Sequence, residues 1–144
     1  MGKLLGIPLL AASLQLNPIA FAQSPAELAH NRVANDEQLS DATSLHRRAL
    51  NHFNQGEHER ALADLDEALR INSHYTQAYY LRGQIFTTRK DFTAAIQDFD
   101  KAIELDPKYD WCYYERGLVY LAMQNPAQAQ PDFAVAIRQA TQDY

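Results

Sequence analysis

The sequence predicts an all-α chain of three stacked helical hairpins, on three observations. Sliding the chain against itself by 34 residues lays AYYLRGQIF (78–86) over CYYERGLVY (112–120). Under the same offset Ala61, Ala95 and Ala129 share a phase, as do Ala68, Ala102 and Ala136, Asp64, Asp98 and Asp132, and Leu65, Phe99 and Phe133. Within a unit the apolar residues keep helical spacing: Tyr79, Gly83 and Phe86 at i, i+4, i+7, then Ala95, Phe99, Ala102 and Ile103 at i, i+4, i+7, i+8. The units run 42–75, 76–109 and 110–143.

In chain order, residues 1–22 read as a secretory leader. MGK is a short positive start, LLGIPLLAASLQL an apolar stretch, and NPIAFA a helix breaker followed by small residues at Ala20 and Ala22. Pro8, Gln15, Asn17 and Pro18 interrupt a span already short of the ~20 apolar residues of a membrane helix, so cleavage after Ala22 is expected, with no membrane span thereafter. Residues 23–41 begin polar and have room for a short helix around 26–34. Unit one follows, with a turn at Gly56 and a break at NSHY, residues 72–75. In unit two Asp91 is placed to cap the second helix by accepting a backbone N–H, and LDPKY ends that helix, because the residue before a proline is pushed out of the helical region. In unit three Asn125 caps and Pro126 takes the first helical position; Pro131 then falls inside the helix, where a lost hydrogen bond predicts a kink or restart at 127–131.

At 47% hydrophobic, 22% charged and a formal net charge of −5, the chain suits one small domain; losing Lys3 with the leader takes the charge to −6. That balance argues against a phosphate-backbone partner, and so against nucleic acid. One Cys makes no internal disulfide, so stability must come from packing.

Chemistry finds little purchase. His46, His52 and His58 recur every six residues, which puts successive imidazoles on opposite sides of a helix, not at the i, i+4 spacing of a metal pair. Cys112 takes the phase of Ala78, a small packing position, and no base accompanies it. No phosphate loop or zincin motif occurs, and Asp98 and Asp100 recur with the repeat, which suggests a solvated helix face rather than acid–base work. The expectation is a chain that is not an enzyme and uses no cofactor or metal.

The repeat resembles the tetratricopeptide repeat family over residues 42–143. Unit two supplies the signature at Tyr79, Gly83, Phe86, Ala95, Phe99, Ala102 and Pro107; unit three repeats it at Tyr113, Gly117, Tyr120, Ala129, Phe133 and Ala136, with Thr141 where proline would stand. Unit one is the most degenerate, with Leu45, Ala49, His52, Ala61, Leu65 and Ala68. The resemblance implies a right-handed solenoid whose first helices line a concave, partner-binding groove. Carried over by phase, the groove takes His46, Arg47, Leu50 and Phe53 from unit one, Gln77, Tyr80 and Gln84 from unit two, and Trp111, Tyr114 and Leu118 from unit three. Tyr80 and Tyr114 should form a ladder beside Trp111, which replaces the polar Gln77 of unit two. Some family members grip a C-terminal carboxylate with Lys, Arg and Asn; here those phases hold His46, Leu50, Leu81, Trp111 and Glu115, so that clamp is not expected.

The functional expectation is an exported protein–protein interaction module, a scaffold or adaptor, that takes a peptide or helix of a partner protein into its groove; in a bacterium it would work in the periplasm or outside the cell. The rival reading is a structural homo-oligomer. No helix follows unit three in this sequence, which leaves Phe133, Val135 and Ile137 as a candidate self-association face.

Overall fold

The computed structural model describes residues 24–142, so the leader and its cleavage point lie outside the described residues. Six helices follow one another: α1 (Pro25–Asn54), α2 (His58–Ile71), α3 (Thr76–Thr88), α4 (Phe92–Leu105), α5 (Asp110–Ala122) and α6 (Pro126–Gln142). They pair as the hairpins α1–α2, α3–α4 and α5–α6, and α3 and α5 bridge successive hairpins. The fold is an all-α helical-repeat solenoid.

Residues 24–41 do not contain a separate short helix: α1 is one helix of 30 residues. The start is a capping box. The Ser24 hydroxyl accepts from the Glu27 N–H at 3.2 Å, and Glu27 Oε2 accepts from the Ser24 N–H at 2.7 Å, with Pro25 at the first helical position. No proline or glycine then occurs before Gly56, so nothing stops the helix. Every residue from Ser24 to Asp41 is exposed, and Ala42 is the first buried one.

Each hairpin turns through a left-handed residue at one phase: Gly56 at φ 76°, Lys90 at φ 62° and Gln124 at φ 59°. Glycine takes that conformation freely; the lysine and the glutamine are strained in it. Between hairpins, Asn72 and Asp106 each accept a backbone N–H from two residues ahead, at 3.0 and 3.1 Å, and bend the chain into the next helix. Asp91 caps α4 through the Ala94 N–H at 3.3 Å, and Asn125 accepts from the Gln128 N–H at 3.4 Å in α6. Pro131 does not split α6, which runs through it as one helix; the proline is exposed, on the water side of that helix.

Close helix approach explains two glycines. A Cβ on Gly83 would lie 2.7 Å from Cε1 of Phe99, and one on Gly117 would lie 2.7 Å from Cε1 of Phe133. The middle of the solenoid is packed by Ala95, Phe99, Ala102, Cys112 and Val119, all fully buried, with Tyr80, Ile103 and Tyr109 against them.

The recurring aspartates divide: Asp66 and Asp100 lie on the solvated face, whereas Asp64, Asp98 and Asp132 are buried. Arg82 holds Asp98 through two bonds of 2.8 and 2.7 Å and reaches back to Asp66 of the preceding hairpin at 2.7 Å. Arg116 does the same with Asp132 at 2.9 and 2.6 Å and with Asp100 at 2.5 Å. Asp98 and Asp132 are buried. Each arginine therefore ties its own hairpin together and staples it to the one before, in the fork geometry that suits guanidinium and carboxylate. Arg48 begins the series with Asp64 alone.

Candidate partner-binding face

α3 touches both α1 and α5, whereas α2, α4 and α6 do not touch one another, which sets α1, α3 and α5 on the inner side of the curve. The residues expected to line that side behave in three ways. In α1, His46 is half-buried against the Tyr75 ring at 5.1 Å, and burial pushes its imidazole pKa down. Phe53 is half-buried with its ring 5.8 Å from His58, while Arg47 and Leu50 are exposed.

In α3, Gln77 is exposed, but Tyr80 and Gln84 are half-buried and bonded together. The Gln84 amide donates to Tyr80 Oη at 3.0 Å and to Glu115 Oε1 at 3.2 Å, which links α3 to α5. Burial, with Glu115 nearby, raises the Tyr80 phenol above its ordinary range. Tyr80 is not an open rung of an aromatic ladder, because Tyr109 of the following turn covers it, ring centroids 5.2 Å apart.

In α5 the surface opens. Trp111 is 56% exposed and stands edge-on to Tyr114 at 6.2 Å; Tyr114 is 42% exposed and leans on Phe133 at 5.9 Å; Leu118 is exposed beside them. A cavity of ≈400 Å³ lies there, lined by Asp110, Trp111, Tyr114, Ala136, Ile137 and Ala140. The groove and the self-association face, expected as separate surfaces, therefore meet at one apolar hollow. Only part of that second face is truly outward. Ile137 is 66% exposed, Val135 is half-buried, and Phe133 belongs to the packing of its own hairpin, between Gly117 and Tyr114.

Among the described residues no side chain covers this hollow as tyrosines cover the two earlier joints. Tyr75 covers His46 and Tyr109 covers Tyr80, each from the turn that opens the next hairpin. The same phase after the third hairpin falls in the sequence on Asp143, which lies outside the described residues. That recurrence of Tyr75 and Tyr109 could have been read from the sequence and was the missed signal; it would have separated a sealed Tyr80 from an open Tyr114.

Cys112 is fully buried, and burial pushes its thiol up to about 12, so it is not a nucleophile near neutral pH. His52 meets Glu57 at 2.6 Å, and His58 lies against Phe53; among the described residues no three or more His, Cys, Asp or Glu side chains cluster to hold a metal ion. No described helix is long and apolar enough to cross a membrane.

Comparisons with known proteins agree on the architecture. No curated protein matches the chain in sequence. Among solved structures, MamA matches with a TM-score of 0.69 at 23% identity, over 73% of this chain and 61% of MamA, so the chain spans under two thirds of that protein's length. The second TPR domain of Spaghetti (RPAP3), bound to the HSP90 peptide SRMEEVD, matches with a TM-score of 0.70 at 21% identity, over 74% of this chain and 97% of the domain. The TPR2B domain of yeast Sti1, in complex with pHsp70, matches at 0.69 and 20%, over 72% and 82%. Such identities speak for the fold alone. Two family models, each described as tetratricopeptide repeat, match residues 46–110 and 99–131, so their span takes in all three hairpins. With the six paired helices and the recurring Gly–Phe and Arg–Asp contacts, they make this chain a member of the tetratricopeptide repeat family.

Proposed function

We propose that the chain is an exported protein–protein interaction module, without catalytic activity, that receives a segment of a partner protein on the inner face of its solenoid. The observation that carries this reading is the open aromatic and aliphatic surface of α5, where Trp111, Tyr114 and Leu118 stand exposed beside a ≈400 Å³ hollow. Exposed Trp and Tyr on a rigid frame serve as anchors, because they bury much area and lose few rotamers on binding. TPR domains of the same architecture hold peptides, as the Spaghetti domain holds SRMEEVD, which supports the class of partner without naming it. Export rests on the leader-like residues 1–22, and the intact mass of the mature protein reports whether cleavage follows Ala22.

The test is photo-crosslinking in the native compartment from position 111, with position 59 on α2 as a control. A discrete protein captured from position 111 and not from position 59 is the expected result. Capture that is the same from both positions, or capture at neither, overturns the reading. The rival, a structural homo-oligomer, is favoured by one observation, the 66% exposure of Ile137, and a crosslink from position 111 to a second copy of the chain would establish it in place of a client.

A further inference from the structure

The carboxylates of the described residues divide by what faces them. Among those not fully exposed, Asp64, Asp98 and Asp132 are held by Arg48, Arg82 and Arg116, Glu57 by Arg60 and His52, and Glu67 by Arg70. Two others, Asp110 and Glu115, are half-buried and have no ion-pair partner among the described residues. Asp110 accepts the N–H of Trp111, at 2.8 Å, in the first turn of α5, and Glu115 accepts the Gln84 amide, at 3.2 Å, and the Tyr80 hydroxyl; every one of these donors is neutral. Both flank Trp111. Asp110 precedes it and lines the hollow, while Glu115 sits one helical turn on, at i+4, on the same side of α5.

A carboxylate drawn partly out of water without a cation gives up hydration for little return, and the rest of this molecule avoids that arrangement by supplying arginine. Here two such carboxylates bracket an exposed indole, the aromatic face that attracts cations best. Beside them lies an aliphatic floor of Ala136, Ile137 and Ala140. The nearby cations Lys108 and Arg138 make no ion pair with either carboxylate. This end of the inner face is thus negative with no cation paired to it among the described residues, and an apolar seat lies next to it.

We infer that the partner segment carries an arginine or lysine beside an aliphatic residue, the cation lying over Trp111 between Asp110 and Glu115 and the aliphatic side chain filling the hollow against Tyr114 and Ile137. This rests on the groove reading above and names its ligand chemistry: a basic and apolar segment.

The probe is a random dodecapeptide phage library, selected on the intact protein and, in parallel, on the double variants Asp110→Asn/Glu115→Gln and Trp111→Ala/Leu118→Ala, each first checked for native helicity and melting. The expected outcome is enrichment of peptides with Arg or Lys next to Leu, Ile or Met. A labelled consensus peptide should then lose roughly 10-fold in affinity when its Arg is replaced by citrulline, as expected for a lost charge-assisted contact. The same loss should follow Asp110→Asn/Glu115→Gln, and the two changes together should cost no more than one. Quenching of Trp111, the single Trp of the chain, reports occupancy directly. Peptides that need Trp111 and Leu118 but show no basic preference, or an acidic one, overturn the cation site and leave the groove standing. Peptides indifferent to Trp111→Ala/Leu118→Ala, or an empty selection, overturn both.

Discussion

The joint between the second and third hairpins and the far side of the third hairpin carry the same residues at the same phases, in different surroundings. Tyr80 and Phe99 sit under α5 and its leading turn, Phe99 fully buried and Tyr80 capped by Tyr109. Their equivalents Tyr114 and Phe133 have no such cover among the described residues: Tyr114 is 42% exposed and Phe133 only half-buried. Ile103 packs against the central cluster, and Ile137 is 66% exposed. In a solenoid each unit is completed by its neighbour, so burial belongs to the joint and not to the unit. The closed joint spends its apolar surface on stability, whereas the open one leaves it exposed, on the face proposed for recognition.

The largest effect that tests this contrast comes from the phenylalanines. Phe99→Ala should cost about 3–5 kcal/mol, as expected for emptying a sealed aromatic site. Phe133→Ala should cost roughly half as much, because part of its ring already faces water and the hairpin end can relax into the gap. Urea denaturation followed by helical circular dichroism measures both. Equal losses would break the contrast, since they would mean that the face over Phe133 is covered in solution.

The glycines sharpen the same comparison at a smaller scale. In Gly83→Ala and Gly117→Ala the new methyl meets a phenylalanine ring at the same 2.7 Å. Around Gly83 the ring is fixed on every side, so overpacking should cost about 1–3 kcal/mol. Around Gly117 the Phe133 ring has room to move outward, and the loss should fall below that of Gly83→Ala in the same denaturation assay.

How much of this was legible in the sequence depends on the range of the interaction. The hairpin pattern, the turn at Gly56 and the caps at Asp91 and Asn125 are local, and spacing and residue type reveal them. Phase put Gly83 and Phe99 at signature positions of facing helices, but only packing shows the ring against the glycine. The full length of α1 was missed because polar residues 24–41 carry no apolar stripe, although Ser24-Pro25-Ala26-Glu27 is a local capping box. The Arg82–Asp66 and Arg116–Asp100 staples were missed for another reason: spacing within one unit cannot show that an arginine serves two aspartates in different hairpins. The candidate site was half legible. Phase placed Trp111 and Tyr114 on the inner helix, but only packing shows that Tyr80 is sealed and that Ile137 shares a hollow with Trp111.

The smallest expected effect is the most discriminating. Ile103→Ser should cost about 1.5–3 kcal/mol, the usual loss when a packed aliphatic side chain gives way to a polar one. Ile137→Ser should change stability by no more than about 0.5 kcal/mol, as at an exposed surface position. The two substitutions are chemically identical and occupy one phase of the repeat, so the difference between them measures the covering hairpin alone. Protein concentration adds a second axis. A face closed by a second copy would make the wild-type melting temperature rise with concentration, since association stabilises the folded state by mass action. Ile137→Ser would then abolish that rise, whereas a face kept open for a client gives wild type and variant the same melting temperature at every concentration.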